Sequence, residues 1–177
     1  EATTTQTVTV LDTKPPKVKA PSAITAEATS LDRNIVALGE PSITDNSELS
    51  SITNDAPEFF PLGDTIITWT AIDIAGNVGS ATQKVTIVDT TSPVISNIAE
   101  LSAEATSEKQ NLVTLIVPNV TDVQPITITN DAPTFFTLGQ TTITWTAKDS
   151  SENNSTLSQM ISIVDTSAPI LIVRSEE

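Results

Sequence analysis

Apolar and polar residues alternate with a period of two in several short stretches of the chain. The clearest stretches are residues 7–10, 65–71 and 85–88, where aliphatic or aromatic side chains occupy every second position. Such alternation is typical of β-strands with one buried face. No stretch of useful length shows the 3.6-residue period of an amphipathic helix. The pattern therefore predicts an all-β fold.

Glycine and proline separate these stretches into short elements. Short strands with frequent turn residues between them indicate a sandwich of two sheets. A further strand is predicted over the apolar run 112–117, ending at Pro118, because proline cannot continue a sheet ladder. In the first half of the chain we predict strands near residues 17–20, 23–28, 34–38, 49–54, 57–60, 65–72 and 81–88.

A ten-residue phrase occurs twice, as NDAPEFFPLG at residues 54–63 and as NDAPTFFTLG at residues 130–139. Trp69 and Trp145 follow the two copies and lie 76 residues apart. A repeat of this length suits a small self-contained domain. We predict complete repeats at 13–89 and 90–165, with 1–12 as the last strand of a preceding repeat and 166–177 as the first strand of a following one. Alternatively, the two end strands pair with a neighbouring chain.

Each repeat has one tryptophan, which we expect at the centre of its core. Alternation places Ile67 and Ala71 on the same side of the strand as Trp69, and Ile143, Trp145 and Ala147 repeat the arrangement. Of each Phe-Phe pair in the repeated phrase, one ring should enter the core and the other should lie at the rim.

Composition excludes several functional classes. The 177 residues include 22 acidic and 8 basic residues, which gives a net charge of −14. This charge disfavours binding to nucleic acids or anionic lipid, and it favours cations as partners. Histidine and cysteine are absent, so Ser-His-Asp and Cys-His catalysis are impossible within this chain. No apolar run is long enough for a membrane helix, so we expect no direct membrane insertion by this segment. The sequence predicts a protein that is not an enzyme.

The repeats also share a longer pattern. It consists of Asp-Thr-x-x-Pro at the start of each repeat, Phe-Pro-Leu-Gly-Asp-Thr at 60–65 and Trp-Thr-Ala-x-Asp-x-Ala-Gly-Asn at 69–77. This pattern resembles the hyalin-repeat family. The resemblance implies tandem immunoglobulin-like β-sandwich domains, arranged as beads on a string, in extracellular proteins that serve scaffolding and adhesion. The second copy departs from the pattern at Thr137 and at 151–153.

Animal members of that family commonly carry paired cysteines, which this chain lacks. The resemblance is therefore to the cysteine-free versions in prokaryotic surface proteins, including archaeal surface-layer proteins. It implies a structural module of a cell-surface assembly, a surface layer or a stalk, whose partners are neighbouring repeats, other copies of the chain and cations. The alternative function is an adhesin or a receptor ectodomain that binds a protein or glycan.

Acidic residues recur at the ends of the predicted strands. In an immunoglobulin-like order, the predicted loops bring one group of three aspartates together at one end of the first repeat, and a second group around the start of the second repeat. Carboxylates and carbonyl oxygens are the ligands that calcium prefers. The predicted calcium ligands at the junctions between repeats are Asp12, Asp45 and Asp73, then Asp89, Asp122 and Asp149, with Glu27, Asn77 and Asn153 as further oxygen donors.

The same acidic residues have a simpler interpretation. In this interpretation Asp12 and Asp89 cap a turn before proline, and Asp73 and Asp149 brace the hairpin turns that follow them. Asp45 and Asp122 are then solvated loop residues. The sequence leaves both interpretations open.

Three asparagines match the acceptor pattern for N-glycosylation. They are Asn119, Asn153 and Asn154, and all three fall in predicted loops. On an exported protein they are candidate glycan sites.

Overall fold

The computed structural model describes residues 2–171. The chain divides into two compact units, Glu1–Asp89 and Thr90–Glu177. Within the described residues both units are all-β, as the alternation predicts, and none of these residues lies in a helix long and apolar enough to cross a bilayer. Each unit contains a four-stranded sheet and a two-stranded sheet, the two-sheet arrangement that the sequence predicts.

The first unit is built around a long hairpin. Its strands are β1 Lys17–Lys19, β2 Ile24–Glu27, β3 Ser42–Thr44, β4 Leu49–Asn54, β5 Gly63–Asp73 and β6 Val78–Val88. The main sheet has the order β2-β6-β5-β4, in which β2 runs parallel to β6 and the other pairs are antiparallel. The second sheet consists of β1 and β3, paired antiparallel.

The second unit repeats this plan with shorter strands in its small sheet. Its strands are β7 Val94–Ile95, β8 Leu101–Glu104, β9 Val120–Thr121, β10 Ile126–Asn130, β11 Gly139–Asp149 and β12 Asn154–Val164. The main sheet has the order β10-β11-β12-β8, again with a parallel pair between β12 and β8. The small sheet pairs β7 with β9.

The core of each unit lies under its long hairpin, as the alternation predicts. Ile67 and Ala71 have no exposed surface and Trp69 is 5% exposed, while Ile143, Trp145 and Ala147 are equally buried in the second unit. The Phe-Phe pairs divide as expected: Phe60 and Phe136 are buried, whereas Phe135 is 44% exposed. Burying an aromatic ring of this size contributes a few kcal/mol.

A buried glutamine holds each tryptophan in place. Trp69 Nε1 donates to Gln83 Oε1 at 3.0 Å, and Gln83 Nε2 donates to the carbonyl oxygens of Ser22 and Leu38, both at 2.9 Å. All the polar atoms of this group are therefore paired, which a buried amide requires. The glutamine connects the main sheet to the loops before β2 and β3.

Several strand predictions are wrong. Residues 34–38, 57–60 and 112–117 form no strand; only Asn34 and Phe60, and likewise Asn111 and Phe136, make an isolated bridge. In the run 112–117 the side chains of Val113 and Leu115 pack on the core, while Leu112, Ile116 and Val117 are exposed, so the segment contributes to the core without a backbone ladder. Residues 42–44, predicted as part of a loop, form β3.

Residues 7–10 also form no strand, and Val8 and Val10 are 76% and 90% exposed. A strand needs a neighbour for its backbone hydrogen bonds, and nothing pairs with this segment within the described residues. Its assignment to a preceding repeat stays a prediction. Of the strand predicted near the end of the chain, residues 169–171 form no strand and the remainder lies outside the described residues.

Candidate functional site

Three segments of the first unit meet at one group of carboxylates. Asp73 is the last residue of β5, Asp45 directly follows β3, and Asp12 lies on the segment that leads into β1. One carboxylate oxygen from each of these three aspartates lies within 4.8 Å of the other two. The structure thus brings together Asp12, Asp45 and Asp73, and we call this group the Asp12 cluster.

The β5–β6 turn fixes Asp73. The backbone N–H and the side-chain amide of Asn77 donate to Asp73 Oδ1 and Oδ2, both at 2.8 Å. Gly76 donates its backbone N–H to the Asp73 carbonyl at 3.1 Å and has a φ of 88°, which glycine adopts without strain. Asp73 is 1% exposed. The carboxylate is therefore held in one orientation by the turn that it braces.

Asp12 and Asp45 are held more loosely. Asp12 Oδ1 accepts from the backbone N–H of Lys14 at 3.0 Å, and Asp45 Oδ2 accepts from the Ser47 hydroxyl at 3.2 Å. The other carboxylate oxygen of Asp12, Oδ2, is buried and makes no hydrogen bond of normal geometry among residues 2–171, although the Asn46 and Ser47 side chains lie near enough to help lower the pKa of Asp12. A buried carboxylate oxygen without a donor is costly unless a proton or a cation reaches it.

Two carboxylates of the cluster, those of Asp12 and Asp73, have lowered pKa values. The backbone N–H of Lys14 holds the pKa of Asp12 below its usual value. Burial raises the pKa of Asp73, but the hydrogen bonds from the Asn77 side chain and backbone outweigh burial and leave that pKa lowered. The neighbouring charge of Asp12 opposes this lowering. The site therefore concentrates negative charge that hydrogen bonds only partly offset.

The second unit contains matching parts. Asn153 donates its backbone N–H and its side-chain amide to the two oxygens of Asp149 at 2.9 and 2.8 Å. Asp122 Oδ1 accepts from the Gln124 backbone at 2.9 Å, and an oxygen of Asp122 lies within 4.8 Å of one of Asp149. Asp89, the sequence equivalent of Asp12, is the last residue of the first unit, and its place in a second cluster stays a prediction.

The remaining predicted ligands have other contacts. Asn77 donates its amide nitrogen to Asp73 and also to the Asp12 carbonyl at 3.3 Å, so it braces the Asp12 cluster through its nitrogen. Glu27 ends β2, and its counterpart Glu104 ends β8. Glu104 accepts hydrogen bonds from the Thr166 backbone and hydroxyl, both at 2.8 Å, and these bonds lower its pKa. Glu104 therefore fastens the segment that follows β12.

The glycosylation candidates differ in availability. Asn119 and Asn154 are exposed. Asn153 is half-buried and its side-chain nitrogen is bonded to Asp149, so a glycan there would break the hairpin turn. Asn154 is the first residue of β12, and its predicted place in a loop is therefore wrong.

Sequence reasoning missed a buried asparagine in each unit. Asn34 Oδ1 accepts from the backbone of Thr29 and Ser30 at 2.7 and 3.1 Å, while its Nδ2 donates to the Phe60 carbonyl at 2.9 Å. Asn111 makes the same bonds in the second unit. Asn34 and Asn111 occupy the same position in the repeat, and this recurrence was the sequence signal that could have identified them.

Comparisons with known proteins agree with the residue pattern. Residues 11–87 match the family model described as HYR domain. The chain is 35% identical to hyalin of Strongylocentrotus purpuratus over 99% of its length and 35% identical to hyalin of Lytechinus variegatus over 98%. These matches span 16% and 36% of the two hyalins. A mouse protein, "Sushi, von Willebrand factor type A, EGF and pentraxin domain-containing protein 1", is 30% identical over 85% of the chain, which spans 4% of that protein.

Among solved structures, the chain is similar to Drosophila N-cadherin EC1-4, with a TM-score of 0.42 and 13% identity. That match covers 86% of this chain and 50% of the cadherin chain. Human protocadherin-24 EC1-2 gives a TM-score of 0.38 and 15% identity, with coverage of 86% and 99%.

The hyalin and sushi-domain matches come from sea urchins and rodents. They give no support to the prokaryotic origin expected from the missing cysteines. HYR, hyalin and sushi-domain proteins are extracellular proteins of the cell surface, and this chain has the same localisation. Residues 11–87 are an HYR-type repeat, and the chain is similar to hyalin across both units.

Proposed function

We propose that the chain is a structural module of an extracellular cell-surface assembly, a rigid adhesive spacer whose turns are fastened by calcium at the Asp12 cluster. The HYR match, the similarity to hyalin and the absence of histidine and cysteine support a role in structure and adhesion. HYR and hyalin are non-enzymatic families. The surface-layer or stalk form of this function is part of the proposal.

The observation that carries the proposal is the Asp12 cluster with its unpaired oxygen. Three carboxylates within 4.8 Å of one another repel, and Asp12 Oδ2 is buried without a hydrogen bond of normal geometry among residues 2–171. Calcium binds six to eight oxygens at about 2.3–2.6 Å. Three carboxylates, nearby backbone carbonyls and water can supply that number.

Calcium at this site would link three segments that are separate in sequence. Asp12 belongs to the segment before β1, Asp45 to the loop between β3 and β4, and Asp73 to the β5–β6 turn. Binding would also remove the repulsion among the carboxylates, so the rigidity of this end of the unit would depend on calcium. Pro15 and Pro16, which follow Asp12, restrict the backbone of the same segment.

Calorimetric titration with calcium chloride tests the proposal. We expect wild-type protein to bind calcium and to be stabilised by about 2.7 kcal/mol at a calcium concentration 100 times the dissociation constant. D45N should weaken binding most cleanly, because among residues 2–171 the Asp45 carboxylate accepts one side-chain hydrogen bond, from the Ser47 hydroxyl. D32N, which removes one charge from an exposed loop residue, is the matched control.

Turn bracing is the competing explanation, and the hydrogen bonds from Asn77 to Asp73 show that bracing takes place. If the carboxylates only brace turns, D73N lowers stability equally with calcium and with a chelator. If the cluster binds calcium, D73N should lower stability more with calcium present than with a chelator. A melting temperature that a chelator leaves unchanged in wild-type protein would sink the calcium proposal.

A second candidate function is an adhesin or receptor ectodomain that binds a protein or glycan. The exposed ring of Phe135 and the neighbouring Leu138, 44% and 47% exposed, favour a contact surface in the second unit. Negative-stain imaging of the native assembly distinguishes the two: a two-dimensional lattice supports a surface-layer module, and isolated fibres support the adhesin.

A further inference from the structure

One buried glutamine differs between the units in its hydrogen bonds. Gln83 Nε2 donates both of its N–H groups, to the carbonyls of Ser22 and Leu38. Its counterpart Gln159 Nε2 donates only to the Ala99 carbonyl, at 2.8 Å. Gln159 is 4% exposed, and its second N–H has no acceptor among residues 2–171. Buried amide donors are normally paired with an acceptor, so this one is an exception.

The cause lies in one position of the loop before the small sheet. In the first unit Gly39 has a φ of 81°, and the preceding carbonyl, that of Leu38, accepts from Gln83. The repeat places Ile116 at the position of Gly39. A β-branched residue avoids positive φ, and Ile116 does not adopt it. The backbone therefore takes another path, and the carbonyl of Leu115 does not reach Gln159.

A groove lies beside Gln159 in the second unit, and Ile116 is part of its lining. The groove has a volume of about 320 Å³, at the lower end of the range for ligand sites. Ile116 and Val117, on one wall, are 68% and 59% exposed. We call it the Gln159 groove, and its main lining residues are Ile98, Glu100, Leu101, Ile116, Val117 and Gln159.

The groove has a defined chemical character. Its lining combines aliphatic side chains with the polar residues Ser96, Asn97 and Asn119. Gln159 contributes a buried amide, and Glu100 is the charged residue in the lining. Glu100 is exposed and makes no ion pair among residues 2–171. A complementary ligand needs a carbonyl oxygen for the Gln159 N–H, an aliphatic side chain for the aliphatic lining and a positive charge for Glu100.

We propose that the Gln159 groove binds an extended peptide segment of a partner protein that carries an aliphatic residue next to a basic one. A backbone carbonyl of the peptide accepts the free N–H of Gln159, as the Leu38 carbonyl does for Gln83. The aliphatic side chain lies between Ile98 and Ile116, and the basic side chain meets Glu100. The site extends the adhesive role proposed above but does not depend on calcium.

Titration of ¹⁵N-labelled protein with the peptide acetyl-Val-Leu-Lys-amide tests the proposal. We expect the side-chain amide signal of Gln159 to shift with saturable binding, while the signal of Gln83 stays in place. Replacing lysine by glutamate in the peptide should weaken binding about two- to fivefold, the range for one exposed ion pair. E100Q should remove that difference.

Two reciprocal variants separate binding from misfolding. I116G should let the Leu115 carbonyl reach Gln159, close the groove and abolish the shift. G39I should open the equivalent groove in the first unit and make the Gln83 signal respond to the peptide. The proposal would be overturned if, in wild-type protein, the peptide shifted the side-chain amide signal of neither Gln83 nor Gln159, or shifted both signals equally. Calcium removal should leave the titration unchanged, so failure here is distinguishable from failure of the calcium site.

Discussion

The two units have one plan but differ where β6 and β12 begin. In the first unit a Cβ built on Gly79 would lie 1.8 Å from the carbonyl oxygen of Pro16. In the second unit Ser155 occupies this place, and its hydroxyl donates to the Pro93 carbonyl at 2.6 Å. The same contact is thus made once by direct backbone packing and once by a hydrogen bond. A repeat can keep its topology while its contacts change.

The turns differ in a related way. Gly76 adopts a φ of 88° in the first hairpin, whereas Glu152 adopts a φ of 73° in the second. For a residue with a side chain this conformation costs roughly 1–2 kcal/mol. The two turns still place Asp73 and Asp149 in the same hydrogen-bonding arrangement. The second unit therefore keeps the same turn geometry although the backbone of Glu152 is strained.

Removing the core tryptophans gives the largest expected effect. W69A and W145A should each cost ~3–5 kcal/mol, since each leaves a cavity and an unpaired glutamine oxygen. Because each unit has its own core, each variant should destabilise its own unit. Hydrogen exchange of backbone amides, measured separately for the two units, checks this. Equal loss of protection in both units would contradict separate cores.

Gly79 gives the next largest effect. G79A should cost about 1–3 kcal/mol, because the added methyl group overlaps the Pro16 carbonyl. Residues 12–16 must then move, so calcium affinity should fall with stability. S155A in the second unit is the counterpart and should cost about 1 kcal/mol, the worth of one hydrogen bond. Urea unfolding measures both, and an unchanged G79A protein would contradict the close packing.

Glu152 offers a smaller, stabilising change. E152G should raise the stability of the second unit by about 1 kcal/mol, since it relieves the positive φ. The exposed ion pair between Lys148 and Glu152 is lost, but such pairs contribute little. The reverse substitution, G76E, should destabilise the first unit. Thermal unfolding should show shifts of opposite sign, and two shifts of the same sign would refute this account.

Acid should produce the mildest effect. The folded pKa values of Asp12, Asp64, Asp73 and Glu104 lie below their unfolded values. Their contribution is fully present above the unfolded values, about 3.9 for Asp and 4.3 for Glu. It is lost as the pH falls through the lowered values. D73N should flatten this dependence in the first unit and E104Q in the second, as urea unfolding between pH 2 and 6 would show.

The predicted strands show how far periodicity reaches. Residues 65–71 alternate, and they form a strand because both of their neighbours in the sheet are present within the unit. Residues 112–117 are equally apolar, yet they form none. Alternation indicates which side chains would share one face of a strand, whereas a ladder also needs a partner strand at the right distance. Without a partner the apolar positions can stay exposed, as Val8 and Val10 do. No local pattern contains that partner.

The sequence alone determined the all-β class and the tryptophan cores, because both follow from the alternation of apolar and polar side chains. It also determined the repeat and the recurring carboxylates, because both follow from identity between the two copies. The meeting of Asp12, Asp45 and Asp73 was expected from an assumed strand order, but their 4.8 Å spacing and the orphaned Asp12 oxygen come from tertiary structure. The Gln159 groove also depends on the fold. The sequence shows that Ile116 replaces Gly39 at the same position of the repeat. Only the path of the backbone decides whether the carbonyl before that position reaches the buried glutamine, as that of Leu38 reaches Gln83.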